Sequence, residues 1–348
     1  MPPVIAIAMS GGVDSLVAAA MLKEAGHQVF GLHFTTGHEP VGADEEALSG
    51  AAEAIGVPLH RLDLSDRFEA MVVRLFTEAY LSGRTPNPCM ACNPAIKFGD
   101  LLSHARQLGA ERLATGHYAR VMPGGDGGVR LLKGSDPTRD QSYFLAFLDQ
   151  ARLTAALFPL GERTKDEVRK QARERGLDRF TRPESRETCF MADGRLADFL
   201  RDHAGVTPRP GPIVDTRGKQ VGEHAGVHAF TIGQRRGLNC PSTEPWYVVR
   251  ILPGENTLVV GRENDLYSRS AELVGVQWIR GDLRGRMETR VRIRYRHQEA
   301  RATVEPLPDH RAGVVFDNPQ KAVTPGQGAV FYDGDEVLGA GWIARGIE

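Results

Sequence analysis

The feature that most constrains the fold is a glycine-rich hexapeptide between a short apolar strand and a helix. Residues 4–9 have the length of one buried strand, and Ser10-Gly11-Gly12-Val13-Asp14-Ser15 follows at once. A helix is predicted over residues 15–25, ending at Gly26. Glycines at such a turn let the backbone approach an anion, and the helix N-terminus presents free amides to it. The arrangement predicts a phosphate-binding site in an α/β domain.

Strands and helices alternate along the first third of the chain, and many of the helices end at a glycine. Strands are predicted at 28–34, 57–64 and 112–115, and helices at 43–55, 66–81 and 93–108. Alternation of this kind predicts a parallel sheet covered by helices on both faces. A turn-rich hairpin is predicted over residues 118–132, and helices return from about 139 to 175. Thr164-Lys165-Asp166-Glu167 is a predicted capping box that opens one of these helices.

The composition and the predicted secondary structure change after Gly205. Pro208, Pro210 and Pro212 form a stiff break, and short β-rich runs separated by Gly, Asp and Asn follow. The chain is therefore predicted to contain one α/β domain and then β modules.

Composition excludes some classes of protein. No apolar run approaches the roughly 20 residues that span a bilayer, and the residues before the first strand leave no room for a signal peptide. Four cysteines are too few for a disulfide scaffold, so a cysteine cluster is expected to serve metal binding or catalysis in a reducing cytosol. We therefore expect a cytoplasmic protein without a membrane partner.

Charge is unevenly distributed along the chain. The net charge is −1, yet nine arginines and only four acidic residues lie between Arg269 and Arg301. One interpretation is a solvated β face. The other is a phosphate-binding surface, since guanidinium groups match phosphate oxygens and overall neutrality does not prevent a basic stripe.

The hexapeptide differs from the two commonest phosphate loops. It is followed by no Gly-Lys-Ser/Thr, and the G-x-G-x-x-G fingerprint of dinucleotide sites is absent. The pattern Ser-Gly-Gly-x-Asp-Ser resembles the pyrophosphate loop (PP-loop) of the ATP pyrophosphatase superfamily, whose members adenylate a carbonyl or carboxyl oxygen. The alternative is a simple tight turn.

Three of the four cysteines fall within the predicted α/β domain. Cys89 and Cys92 form a C-x-x-C just before the helix predicted at Asn93, where a thiol is expected to shift toward thiolate. Cys189 lies in a loop between predicted helices, and Cys240 lies in the β-rich region. A C-x-x-C alone is compatible with a redox pair, half a zinc site or chance. A four-thiolate zinc site would need Cys240 from the other region.

Further motifs carry a more specific resemblance. They are Thr85-Pro86-Asn87-Pro88-Cys89, Cys92-Asn93, Ile96-Lys97-Phe98, Ala114-Thr115-Gly116-His117-Tyr118-Ala119-Arg120, Asp140-Gln141-Ser142-Tyr143-Phe144-Leu145, Phe158-Pro159-Leu160-Gly161, Cys189-Phe190 and Thr231-Ile232-Gly233-Gln234-Arg235-Arg236-Gly237. Together with the hexapeptide they resemble the bacterial tRNA-specific 2-thiouridylase family (MnmA, also called TrmU), in the family's order and over nearly the whole chain.

The resemblance implies an enzyme and a domain plan. The family adenylates the 2-oxygen of the wobble uridine of tRNA with ATP and replaces it by sulfur, which yields 2-thiouridine, AMP and pyrophosphate. The implied partners are tRNA and either a sulfur-donor protein or inorganic sulfide. The implied fold is α/β, with an N-terminal parallel-sheet PP-loop catalytic domain (1–205), a small β-rich central domain (206–268) and a C-terminal, tRNA-binding β-barrel (269–348).

The resemblance also implies site residues. The nucleotide site is Ala8, Met9, Ser10, Gly11, Gly12, Val13, Asp14, Ser15, Phe34 and Gly116, with Asp14 helping to place Mg²⁺. The nucleophile is Cys92, and the persulfide-bearing residue is Cys189. The implied tRNA contacts are Asn87, Pro88, Cys89, His117, Arg139, Asp140, Gln141, Arg294, Tyr295 and Gln327. Simpler interpretations are a core aromatic for Phe34, a capped loop histidine for His117 and a turn residue for Gln327.

One position departs from the family pattern. Well-known members have an aspartate where this chain has Cys89, so the role of that aspartate does not transfer. Three cysteines instead match related tRNA thiolation enzymes that hold an iron–sulfur cluster by three thiolates. We therefore expect Cys89, Cys92 and Cys189 to bind a [4Fe-4S] cluster whose open iron carries the sulfur. The alternative is a persulfide relay between Cys92 and Cys189.

Two other functions remain open at this point. A PP-loop ligase or amidotransferase acting on a small carboxylate would need neither the cysteines nor the basic C-terminal region. A tRNA-binding or iron–sulfur sensor protein with a degenerate nucleotide site would not hydrolyse ATP, and the intact hexapeptide argues against it.

Overall fold

A five-stranded parallel sheet forms the first part of the fold, as the alternation of strands and helices predicts. The computed structural model describes residues 3–39, 45–125, 127–181, 188–191, 196–281 and 285–347. In spatial order the strands are β3 (Leu59–Asp63), β2 (Gln28–Thr35), β1 (Val4–Ala8), β4 (Arg112–Ala114) and β7 (Ala156–Leu157). The strand order reverses beside β1, and such a crevice at the carboxyl ends of the strands is where open α/β sheets bind ligands.

Helices cover both faces of this sheet. They are α1 (Val13–Glu24), α2 (Glu45–Ile55), α3 (65–81), α4 (88–107), α5 (Ser142–Leu145), α6 (Gln150–Ala155), α7 (Lys165–Glu174) and α8 (Leu196–Ala204), with 3₁₀ turns at Asp178–Phe180, Val227–Ala229, Pro253–Glu255 and Glu263–Leu266. One core contains Leu16, Leu48 and Val168 from α1, α2 and α7, and the other contains Phe98 and Leu153 from α4 and α6. The two cores confirm that helices cover the sheet on both sides. Among the described helices, none combines the length and apolar character that crossing a bilayer requires.

Helices α3 and α4 each contain a π-helical segment, at Glu69–Val73 and Asn93–Leu101. Helix α4 begins five residues earlier than predicted, because the Asn87 side chain caps the amide of Met90 and Pro88 occupies the first position. Cys89 and Cys92 therefore lie inside the first turns of the helix and not in a loop before it.

The central β region forms its own four-stranded sheet. Its strands are β8 (Gly211–Asp215), β9 (Gln220–His224), β10 (Tyr247–Leu252) and β11 (Thr257–Gly261), in the order β10-β11-β8-β9. Ile213, Val248 and Leu258 are fully buried in its core, and Cys240 packs against that core. Cys240 is thus a packing residue of this sheet.

The C-terminal strands close into an antiparallel barrel. They are β12 (Tyr267–Trp278), β13 (Met287–Arg292), β14 (Ala300–Leu307), β15 (Arg311–Lys321), β16 (Gly328–Asp333) and β17 (Glu336–Ile347), in the order β12-β15-β14-β13-β16-β17. Pairing of β12 with β17 closes the barrel, which leaves these six strands without a free edge. The predicted fold class is therefore confirmed, and the exact domain boundaries stay predictions.

The predicted hairpin is present and has a structural function that its sequence did not indicate. Strands β5 (Ala119–Pro123) and β6 (Val129–Lys133) pair with each other, and β6 pairs with the start of β17 at Glu336 and Val337. The hairpin of the α/β domain therefore extends the sheet of the C-terminal barrel.

A buried ion-pair network joins the barrel to the α/β domain. Arg292 on β13 binds Asp140 at 3.0 Å and Glu299 at 2.8 Å, and Lys133 of the hairpin binds Glu299 at 2.6 Å. The Arg292 side chain is 15% exposed and that of Asp140 only 4%. The phosphate-binding interpretation of the arginine-rich run therefore does not extend to Arg292, because Asp140 and Glu299 hold its side chain in the interface.

We expect Asp140→Ala to lower the stability of the protein by about 3 kcal/mol, because it leaves part of a buried charge network without a partner. Thermal unfolding measures this loss. The matched control is Glu305→Ala, which breaks the exposed pair with Arg286 and should change stability by less than about 1 kcal/mol. Equal losses in the two variants would contradict the structural role of the network.

Candidate functional site

The predicted phosphate loop lies at the carboxyl end of β1 and leads directly into α1. Gly11 has a positive φ of 79°, which favours glycine, and Gly12 begins the helix without a side-chain cap. The Ser15 hydroxyl donates to the Gly12 carbonyl at 2.9 Å and accepts from the Ser10 amide at 3.2 Å. The loop is therefore braced by its own serines while the first turn of the helix faces an anion with its amides.

Gly116 lies against the back of this loop. A Cβ atom at this position would come within 2.9 Å of the Asp14 carbonyl carbon and the Ser15 nitrogen, and both are backbone atoms that cannot yield. Only glycine allows the segment after β4 to approach the loop so closely. Phe34, one residue before the end of β2, lies at the same edge of the sheet and is half-buried against the apolar core.

Two residues that the sequence did not single out hold Asp14. The Lys165 ammonium lies 2.8 and 2.9 Å from the two carboxylate oxygens, and the Tyr118 hydroxyl donates to Oδ1 at 2.7 Å. Lys165 is only 5% exposed and begins α7 after its Thr164 cap. The predicted capping box is confirmed, but it marked only a helix start. Placement of Mg²⁺ by Asp14 stays a prediction.

The three cysteines of the α/β domain share one site. Cys92 is buried, and Cys89 and Cys189 are solvent-exposed. Cys89 and Cys189 lie close enough to Cys92 that the negative charge of either thiolate raises the pKa of Cys92. The structure therefore brings together the three residues that the resemblance groups.

The protonation state of the three thiols differs from the prediction that a thiol at this helix start shifts toward thiolate. Desolvation raises the pKa of Cys89 and Cys189, and it raises the pKa of Cys92 to about 12. Lys97 opposes this effect, because its positive charge lowers the pKa of all three thiols. The expectation of a thiolate at the helix N-terminus is thus wrong for this state, since burial outweighs the helix terminus.

His117 links the cysteine site to the phosphate loop. Its Nδ1 lies 2.6 Å from the Thr115 hydroxyl and its Nε2 lies 3.5 Å from the Lys97 ammonium. Burial and the charge of Lys97 hold the pKa of His117 well below its usual range. A neutral, buried histidine is thus placed between Gly116 and Lys97, and its contact with tRNA stays a prediction.

Gln327 of the barrel reaches the segment before the cysteines. Its amide donates to the carbonyls of Thr85 at 2.9 Å and Pro86 at 3.3 Å. The next residues, Asn87 and Pro88, start α4. Gln327 therefore fixes the entry to the cysteine helix, in addition to the tRNA contact that the resemblance implies.

The other implied tRNA residues lie where the barrel meets the α/β domain. Asp140 accepts from the amides of Gly134 and Ser142 as well as from Arg292, and Gln141 accepts from the amide of Tyr118. These two side chains hold the turn beside Arg139, and their direct contact with tRNA stays a prediction.

The last two implied tRNA residues follow strand β13. Arg294 is exposed, whereas Tyr295 is half-buried with its ring 4.4 Å from that of Phe144. Arg294 therefore offers a guanidinium group at the surface, and Tyr295 anchors the turn that carries it.

A cleft of about 960 Å³ separates α3 and α4 from the barrel. Asn87, Pro88, Val274 and Trp342 line it, and neither the phosphate loop nor the three cysteines does. The cleft therefore adjoins the start of the cysteine helix from the side away from the thiols.

Comparison with known proteins agrees with this geometry. Three family models match in order, described as tRNA methyl transferase HUP domain (residues 3–193), tRNA methyl transferase PRC-barrel domain (197–262) and aminomethyltransferase beta-barrel domain (269–343). The tRNA-specific 2-thiouridylase MnmA of Desulfosudis oleivorans is 47% identical over 98% of this chain and 95% of its own length. The chain belongs to the MnmA family.

Other comparisons extend this result. MnmA of Syntrophotalea carbinolica is 46% identical over 98% of both chains. Among solved structures, NMN synthetase from Francisella tularensis is 16% identical, with a TM-score of 0.37 over 58% of this chain and 72% of that chain. The likeness to the MnmA relatives covers all three parts of the fold.

Proposed function

We propose that this chain is a tRNA 2-thiouridylase, a sulfurtransferase that uses ATP to replace the 2-oxygen of the wobble uridine by sulfur. One observation carries the proposal. Gly116 packs on the phosphate loop, its neighbour His117 contacts Lys97, and the charge of Lys97 acts on all three thiols. Groups for adenylation and groups for sulfur transfer therefore belong to one site.

The first half of the reaction uses the phosphate loop. Backbone amides from Gly11 to Ser15 and the hydroxyls of Ser10 and Ser15 bind the β- and γ-phosphates of ATP. The uridine is turned out of the anticodon stack, because chemistry on a base requires it to leave the stack. Its 2-oxygen attacks the α-phosphorus, and pyrophosphate leaves. Asp14 contributes to the placement of Mg²⁺, and Lys165 and Tyr118 fix its carboxylate.

The second half uses the cysteines. In the persulfide form of the proposal, the exposed Cys189 thiol attacks the outer sulfur of a donor protein's persulfide, which forms the Cys189 persulfide and releases the donor's thiol. The terminal sulfur of Cys189 then attacks C2 of the adenylated base. AMP leaves, and Cys92 then attacks the sulfur of Cys189, which releases 2-thiouridine and leaves a disulfide for an external thiol to reduce. Lys97 stabilises the anionic sulfur in each step, since both thiols are neutral at physiological pH.

The second form of the proposal places the sulfur on a [4Fe-4S] cluster. The extra thiol of Cys89 favours it, because a persulfide relay needs only Cys92 and Cys189. Within the described ranges, no three His, Cys, Asp or Glu side chains are arranged to hold a metal ion. The three cysteines as placed do not fit the cluster, and the persulfide steps do not require it.

The barrel and the turn at residues 139–141 are proposed to hold the tRNA. Phosphate contacts from exposed arginines position an RNA without reading its sequence. Because tRNA is the substrate, we propose a cytoplasmic location.

The test is a reaction of the purified protein with ATP, Mg²⁺ and a tRNA transcript that has a wobble uridine, run in parallel with a persulfide donor and with sulfide as the sulfur source. We expect 2-thiouridine by mass spectrometry of the digested tRNA and AMP release that depends on the tRNA. AMP release with small carboxylic acids but not with tRNA would instead support a ligase or amidotransferase. No ATP turnover under any condition would support a tRNA-binding or sensor protein.

A further inference from the structure

Two arginines of the barrel face each other across neighbouring strands. Arg290 on β13 is directly opposite Arg301 on β14, and both are exposed. The Cβ atoms of such a pair lie about 4.5–5.5 Å apart, and like charges in this position destabilise a sheet. The fold therefore keeps an unfavourable pair at its surface.

No carboxylate among the described residues balances this pair. Neither Arg290 nor Arg301 forms an ion pair with a described residue, and the two acids that flank them in the run do not bind them. Glu299 is already bound by Arg292 and Lys133, and Glu288 forms no ion pair with a described residue. The pair thus retains two positive charges for a partner outside the chain.

Other arginines of the barrel show the opposite pattern. Arg286 pairs with Glu305, and Arg311 and Arg345 both pair with Glu272. The barrel therefore neutralises these exposed arginines and leaves Arg290 and Arg301 unneutralised.

The pair lies near the α/β domain. Arg290 is also directly opposite Tyr332 on β16, which is fully buried beneath Ser142 and the side chain of Arg292. Because directly opposite residues point to the same face, Arg290 lies where the barrel face emerges from under the α/β domain. This rim adjoins the turn at residues 139–141.

We propose that Arg290 and Arg301 together bind one backbone phosphate of the tRNA. A phosphodiester has two free oxygens and one negative charge, so each guanidinium can donate to an oxygen while the anion relieves the repulsion between them. The inference rests on the proposed function, since it assigns a phosphate contact to the same tRNA.

The test is Arg301→Glu, which converts the like-charged pair into a cross-strand ion pair with Arg290. We expect two opposite effects: a rise of a few degrees in the midpoint of thermal unfolding, and tRNA binding about tenfold weaker or more at low salt. The slope of log Kd against log salt should fall by about 1 relative to wild type. Arg301→Gln should weaken tRNA binding without the new ion pair.

The matched control is Arg345→Glu, which makes the same charge change on the same barrel but faces Glu272. It should lower the unfolding midpoint and change tRNA binding less than Arg301→Glu does. If Arg301→Glu bound tRNA with wild-type affinity and salt dependence while wild type thiolates tRNA, the phosphate site would be refuted and the proposed function retained.

Thermal unfolding in inorganic phosphate, compared with tRNA binding, distinguishes an RNA site from a site for free anions. At matched ionic strength inorganic phosphate should stabilise wild type more than Arg301→Glu, and tRNA should also bind more tightly to wild type, because both anions use the same two guanidinium groups. Phosphate stabilisation of wild type alone, with tRNA binding equal in both proteins, would replace the RNA contact by a free-anion site. A wild-type protein that neither binds nor thiolates tRNA would overturn both this inference and the proposed function.

Discussion

Asp14→Ala should lower tRNA-dependent AMP release by about 10²–10³-fold and leave tRNA binding close to that of wild type. Asp14 lies in the phosphate loop, and the residues proposed to bind tRNA lie at the barrel and near the cysteines. Loss of its carboxylate removes a group proposed to place Mg²⁺ and also releases the Lys165 ammonium and the Tyr118 hydroxyl. AMP release at a saturating tRNA concentration and a separate tRNA-binding measurement check the two halves of this expectation.

A structural effect of this substitution must be separated from a catalytic one. Lys165 is almost fully buried, so Asp14→Ala removes the carboxylate that binds this buried charge, which we expect to lower stability by about 3 kcal/mol. In the double variant Asp14→Ala/Lys165→Met that charge is gone, and thermal unfolding should return toward wild type. AMP release should remain absent in the double variant. Near wild-type AMP release in Asp14→Ala would show that the loop assignment is wrong.

Local sequence patterns were sufficient for the parallel sheet and the phosphate loop. Buried strands, glycine stops and the capping box before α7 depend on contacts a few residues apart, and the structure confirms them. The strand-to-helix turn at Gly11 is likewise a local feature of the backbone. These elements can be recognised because the residues that cause them are adjacent in sequence.

Contacts between distant elements could not be predicted in this way. Lys165 lies 151 positions from Asp14, and Arg292 lies 152 positions from Asp140. Nothing in the local pattern around Arg292 distinguishes it from Arg290, yet one is buried against carboxylates and the other is exposed. The pKa of Cys92 depends on burial, which only the packed structure shows. The sequence therefore did not predict which distant residues pair with each other or which side chains lose their contact with water.

Cys89→Ala decides how the sulfur is carried, because its expected effect is large with a cluster and small with the persulfide relay. If the three cysteines hold a [4Fe-4S] cluster, anaerobically prepared Cys89→Ala should lose iron, acid-labile sulfide, the broad visible absorption and thiolation together. Cys89, Cys92 and Cys189 would supply three thiolates to such a cluster, whereas structural zinc normally has four protein ligands. The expected loss therefore includes a change in metal content as well as in activity.

The matched control for this variant is Cys240→Ala, because Cys240 packs in the central sheet away from the site. It should keep the iron content and thiolation of wild type on either route. Cys92→Ser and Cys189→Ser should abolish thiolation on both routes, so these variants test the site but do not separate the mechanisms. Only Cys89 separates them, since the relay gives it no covalent step.

Two results would exclude the cluster mechanism and support the persulfide relay. One is a wild-type protein that stays colourless and iron-free after reconstitution yet thiolates tRNA, and the other is Cys89→Ala that thiolates at full rate. In both cases mass spectrometry should find one additional sulfur atom on Cys189, because the relay assigns the persulfide to this residue and its thiol is exposed to a donor. Buried Cys92, with its pKa near 12, should carry none until tRNA and ATP bring the adenylated base beside it.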